Sequence, residues 1–248
     1  MLNSTPIAES ILLDNVFVEK ETVATTKTGI RDILKIIRNL NLKTLRFNFT
    51  YFEFKDAIRF PVFVRQTQLK KLQGKVIIDA PIRPGMIRIG SGYVGHFDRN
   101  LKAVWEVMGT VTFKGSALLK FGSKIVVGPQ GHLQLGEKFR ISPQSSIICF
   151  KNVAFGTACR LSWEVQVLDT DFHKIKTLDG EYINPPKDVT VGNHVWIGSR
   201  VSLLKGARIG DDCIVATNSI VTKYIEGEHQ VIAGVPAKVV HKGVTWES

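Results

Sequence analysis

Cysteine is scarce in this chain: Cys149, Cys159 and Cys213 are the three in 248 residues. An odd number at spacings that fit no metal or redox motif excludes a disulfide framework and a cysteine zinc site as organising principles. The three are expected to be small buried apolar residues in a reducing compartment. No run of about eighteen apolar residues occurs, so no membrane-spanning helix is predicted. The opening MLNSTPIAES lacks the basic and apolar regions of a signal peptide. A cytoplasmic protein is expected.

Acidic residues are also in deficit. Against 33 Lys and Arg stand 22 Asp and Glu, a net charge of +11. No basic tail, zinc knuckle or aromatic RNA-binding motif accompanies the charge, so nucleic acid is not the expected partner. What remains is a plain basic surface, or attraction to an anionic cosubstrate, an anionic or lipid-linked glycan, or an acidic membrane face. The length suits one large domain, or one domain with an appendage.

What the chain does have is a strict beat. Val191, Ile197, Leu203, Ile209, Val215 and Val221 recur every six positions, with glycine following at Gly192, Gly198 and Gly210. A helix repeats every 3.6 residues and a strand every second, so a period of six fits neither alone. It fits a coil of short strands whose repeated aliphatic points inward and stacks on the turn below. The beat starts near Phe121 and lengthens to eight between Val127 and Leu135 and between Ile147 and Phe155. These enlarged corners predict coils of up to twenty residues. The competing architecture is a β-sandwich of regularly spaced strands.

Before the beat, residues 1–28 are polar and weakly patterned. Ile30, Ile33, Leu34, Ile37 and Leu40 recur at helical spacing and predict one amphipathic helix. From Thr44 to Phe54, Leu45, Phe47 and Phe49 alternate, which predicts a strand. Further strands are expected at Val62–Val64, Lys75–Ile78 and Met86–Ile89. The expected organisation is an N-terminal α/β extension over 1–85, an all-β coil over 86–224 and a C-terminal tail over 225–248 packing on the coil. The beat stops at Val167 and resumes at Val191, with paired Pro185 and Pro186 between. Residues 168–190 are therefore read as a loop thrown out of the coil, where function concentrates.

Within that loop Asp169, Asp171 and His173 are spaced two apart. In extended conformation they share one face. A carboxylate beside an imidazole fixes its tautomer and stabilises it as it takes a proton, which is what a general base needs. The bland reading is a surface histidine near two solvated aspartates. No second histidine follows at metal-ligand spacing, so no metal is expected. Trp196 neighbours the inward Ile197, and alternation turns it outward, as an interface or ligand-stacking residue.

The segment VTVGNHVWIGSRVSLLKGARIGDDCIVATNSIVTK, followed by IAGVPAKVV, resembles the C-terminal half of hexapeptide-repeat acyltransferases. The resemblance covers about residues 120–242 and is similar in form to sugar and polysaccharide O-acetyltransferases. It implies a left-handed parallel β-helix, acetyl-CoA as donor, a sugar or glycan acceptor and a homotrimer with sites between neighbouring coils. It implies His173 as the catalytic base, supported by Asp171 or Asp169. It also implies that Trp196 and Ser199 border the acyl-pantetheine arm, that Thr217, Ser219, Thr222 and Lys223 follow the cosubstrate, and that Lys238 lies near its phosphates. The small Gly-Ala-Gly stretch common in the family reads Ala216, Thr217, Asn218 here. The alternatives are an N-acyltransferase of an amino or nucleotide-linked sugar, and a non-catalytic assembly module.

Overall fold

Every aliphatic on the six-residue beat enters one interior: from Val191 to Val221 none is more than 4% exposed. The computed structural model describes residues 30–98 and 100–247, so the polar leader over 1–28 lies outside the described residues. Short strands turn at corners and stack into three sheets of nine, seven and seven strands. Face A includes Val62–Val64, Ile87–Ser91, Ala117–Lys120, Phe139–Ile141, Arg160–Leu161, Trp196–Ile197 and Ile214–Val215, in that spatial order. Face B includes Gln166–Leu168, Ser202–Leu203 and Ile220–Val221; face C includes Val189–Val191, Arg208–Ile209 and Tyr224–Ile225. The chain runs A to B to C and climbs one turn, so three corners recur: A/B, B/C and C/A.

Adjacent turns pair in parallel, Ile147 opposite Val167 and Leu203 opposite Val221. A sandwich of hairpins would pair antiparallel strands, so the competing architecture is overturned. Register partners lie 22 residues apart at Val127 and Cys149, 20 at Ile147 and Val167, and 18 at Leu203 and Val221. One turn thus exceeds the expected twenty, and the coil tightens toward the regular repeat. All three cysteines are buried and unpaired. The antiparallel pair Gln230–Gly234 with Ala237–Lys242 ends face A.

The N-terminal reading needs correction. Helix α1 forms over Ile30–Asn39 as its spacing predicts. The strand expected over Thr44–Phe54 is instead helix α2, Leu42–Tyr51, followed by the short α3, Phe54–Ala57. Alternating Leu45, Phe47 and Phe49 imitates a strand, but burial falls on Thr44, Phe47 and Asn48, the i, i+3, i+4 set of a helix. Asn41 caps α2, its side chain accepting from the amides of Lys43 and Thr44, each at 3.0 Å. The coil itself begins at Val62, which pairs with Ile87, inside the stretch 1–85 read as extension.

Candidate active site

The loop over 168–190 leaves the coil at the B/C corner, between Leu168 and Val189. Its three chemistry-bearing residues do not share a face. Phe172 adopts a left-handed φ of 61°, which breaks the alternation an extended segment would impose. Asp169 is fully buried and accepts from the amides of Phe150 (2.8 and 3.0 Å) and Lys151 (2.7 Å). Its carboxylate closes a corner of the preceding turn. Asp171 accepts from Asn184 Nδ2 at 2.7 Å and pairs with Lys205 Nζ at 2.6 Å. Those two partners, Lys205 foremost, hold its carboxyl below the usual carboxylate range. His173 stands exposed. Among the described residues no hydrogen bond joins its ring to either aspartate.

Two residues that sequence reasoning missed organise this loop. Asn184 is buried; besides bonding Asp171, it donates to the His173 carbonyl at 2.9 Å and accepts from the Ile175 amide at 2.5 Å. Lys205, from the next B/C corner, also reaches the Asn184 carbonyl at 3.1 Å. Together they clamp the backbone that carries His173. No local motif marks them; only the paired prolines after Asn184 hint at a fixed loop base.

The residues expected along the cosubstrate fall into two groups. Trp196 is 40% exposed on face A and donates from Nε1 to Ser162 Oγ at 3.0 Å. At the adjoining A/B corner Ser199 Oγ and Thr217 Oγ1 lie 2.8 Å apart, and Thr217 also bonds the Ser199 carbonyl at 2.6 Å. Lys238 is exposed on the last strand of face A. Thr222 and Lys223, also exposed, occupy the B/C corner, in the same row as Lys205 and the His173 loop. Ser219 belongs to neither group. It is 1% exposed and accepts from the Gly234 amide at 3.1 Å, so its hydroxyl serves the fold and does not face a ligand.

A second unforeseen cluster lies at the C/A corner. His194 Nδ1 is 2.7 Å from Asp212 Oδ1, and Trp246 stacks on its ring at 4.4 Å with planes 9° apart. Trp246 Nε1 also donates to the His194 carbonyl at 2.8 Å. The oriented imidazole expected at His173 is therefore found at His194, pinned beneath the C-terminal tail. The three thiols offer no nucleophile. Burial pushes Cys159 up to about 12 and raises Cys149 and Cys213 above the ordinary thiol value.

Residues 188–223 match the family described as bacterial transferase hexapeptide (six repeats). The polysialic acid O-acetyltransferase of Neisseria meningitidis is 34% identical over 57% of this chain and 60% of its own length. A putative lipopolysaccharide biosynthesis O-acetyl transferase of Escherichia coli K12 is 27% identical over 56% of this chain and 77% of its own. The solved polySia-specific acetyltransferase NeuO is 22% identical, with a TM-score of 0.49 over 75% of this chain and 82% of that one. The hexapeptide repeat of residues 188–223, carried on a three-faced parallel coil, and these sequence relatives make the chain similar to the hexapeptide-repeat acyltransferases, the O-acetyltransferases of sugars and polysaccharides among them.

Proposed function

We propose that this protein is an acetyl-CoA-dependent O-acetyltransferase, acting as a cytoplasmic homotrimer on a sugar hydroxyl in surface polysaccharide or glycan synthesis. The observation that carries the reading is the division of the expected site residues into two sets. His173, Thr222 and Lys223 line the B/C corner, while Trp196, Ser199 and Thr217 lie on face A and the A/B corner. Face B separates the two sets within one chain. A neighbouring copy would bring the loop of one protomer onto face A of the next, as a closed heterologous ring allows.

At such a junction His173 removes the proton of the acceptor hydroxyl as its oxygen attacks the thioester carbonyl. The C–S bond then breaks and the imidazolium returns the proton to the CoA sulfur. Asn184 and Lys205, through the loop backbone and Asp171, position the ring. The donor set fits CoA at several points. Paired hydroxyls of Ser199 and Thr217 suit the amides of pantetheine, and exposed Lys223 and Lys238 suit phosphates. The inward Ser219 does not fit and is withdrawn from the set.

The test is acetyl-CoA turnover by His173→Ala against a panel of hydroxyl and amino sugars, read as free thiol. A loss of about 10²–10⁴-fold, the ordinary worth of a general base, is expected, with CoA binding retained. Unchanged turnover would give the base to another group. His194, with its Asp212 partner, is the second reading, and His194→Gln measured alongside decides between them. Preference for amino sugars would move the reaction to N-acylation. Absence of any CoA-dependent thermal shift would favour the assembly module.

A further inference from the structure

Face A carries a cluster of cations. Arg140 and Arg160 are register partners on adjacent parallel strands, and Arg160 is in turn opposite Trp196. Lys120 stands two residues beyond Leu118, the other register partner of Arg140. It therefore shares the outward face, one diagonal step away. All three are half-buried. With Ser142, Ser162 and the two tryptophans, Trp196 and Trp246, they line a cleft of about 250 Å³. The acid in that lining, Glu247, is exposed.

Like charges directly opposite on neighbouring strands destabilise a sheet, and strand spacing is only about 4.8 Å. Among the described residues no ion pair joins Lys120 or Arg140 to a carboxylate. Arg160 lies over the Trp246 ring, 5.5 Å from its centroid. Burial, and then the two arginines, lower the Lys120 ammonium from its ordinary value. A bound anion would relieve the costs at Lys120 and Arg140 together.

Its place along face A decides which ligand this cleft serves. From the Trp196 strand, one direction leads to Ile214–Val215, Gln230–Gly234 and the Lys238 strand. The proposed CoA track runs that way. The opposite direction leads to Arg160, Arg140 and Lys120, on the far side of the tryptophan that borders the thioester. Resting on the proposed acyl transfer, we propose that the cleft is the acceptor's anion subsite. A carboxylate or phosphate of the glycan sits among Lys120, Arg140 and Arg160, with a sugar ring against the exposed Trp196. Guanidinium forks bind such groups bidentately, and indole faces suit the apolar face of a sugar ring.

The experiment is calorimetric titration of the wild-type protein without acyl donor, so that no turnover intervenes. The probes are a sialic acid oligosaccharide, its carboxyl methyl ester, a sugar 1-phosphate, and CoA. One anionic probe is expected to bind at least tenfold more tightly than the neutral ester. Arg140→Gln should abolish that preference while leaving the CoA titration unchanged. Response to the acid oligosaccharide assigns a carboxylate; response to the sugar phosphate assigns a phosphate. No preference for either anion overturns the subsite. Weakened CoA binding in Arg140→Gln also overturns it, giving the cleft to the donor's phosphates. If Arg140→Gln fails to fold, Lys120→Gln carries the same readings. Failure of the acetyl-transfer reading would appear as absent acetyl-CoA turnover in the wild-type protein and leave the glycan titrations untouched.

Discussion

Asp169 and Asp171 are two positions apart and do different work. The buried Asp169 carboxylate accepts from two amides, and hydrogen bonds to a charged group contribute about 1.5–3 kcal/mol each. Asp169→Asn turns an amide donor toward those N–H groups. It should lower stability by about that much, read as a shifted urea midpoint, and leave the pH dependence of turnover where it was. Asp171 is exposed, and its effect is on the loop. Because its carboxyl is held below the ordinary carboxylate value, the Lys205 pair is fully formed above that value and lost as pH falls through the lowered one. The protection of the Ile175 amide, held by Asn184, against hydrogen exchange should therefore fall in acid, relative to the intrinsic rate at each pH. Lys205→Met should reproduce that loss of protection at neutral pH and lower kcat more than the KM for acetyl-CoA. Equal exchange in both proteins would remove Lys205 from the positioning of His173. None of this was legible in the DTDFH stretch. Its period-two spacing suggested one face, and the left-handed Phe172 together with partners 13 and 34 residues from Asp171 undid it.

The coil was readable as an element because identity and burial coincide there: each aliphatic on the beat is also an inward side chain. Helix α2 was not, because its buried face includes two polar residues whose reason lies elsewhere in the chain. A β-helix ends in an open strand edge that would template further pairing. Here Asn48 donates to the Val62 carbonyl at 2.7 Å and accepts from its amide at 3.2 Å. Thr44 Oγ1 accepts from the Val64 amide at 3.0 Å, and Asn41 Nδ2 reaches the Val64 carbonyl at 2.9 Å. The helix thus stands in for the missing strand of face A, using side chains in place of a backbone. Local windows contain no trace of that role. Asn48→Leu keeps the approximate volume and leaves buried backbone groups unpaired, at about 1–3 kcal/mol each. A drop of that order in unfolding free energy, with increased self-association, is expected. Asn41→Ala, which removes the helix cap as well as a carbonyl partner, should also destabilise, by at least the ~1 kcal/mol typical of a cap. Wild-type stability and solubility in Asn48→Leu would show that α2 is not the cap of the coil.

At the scale of the whole molecule, the corners of a triangular coil decide which residues can meet. His173 and Trp196 are separated by 23 positions in sequence, yet the loop leaves at the B/C corner and the tryptophan sits on face A. Trp196 and the cation cleft occupy one face, while Thr222, Lys223 and Lys205 occupy the row beneath the His173 loop. Sequence spacing cannot say which of these belong to one chain's site and which to its neighbour's. Mixing can. If the site lies between protomers, His173→Ala and Trp196→Glu are each inactive alone, but a mixed trimer contains junctions that join an intact loop to an intact face. Random assembly of equal amounts makes about one junction in four of that kind in a closed ring. Co-expression should therefore restore about a quarter of wild-type turnover, whereas mixing the separately purified, non-exchanging trimers should restore none. Two inactive variants that stay inactive on co-expression, despite demonstrated mixed assembly, would put the imidazole and the indole in the same chain's site. The loop would then have to fold back across face B, breaking the Lys205–Asp171 pair that now holds it at its corner.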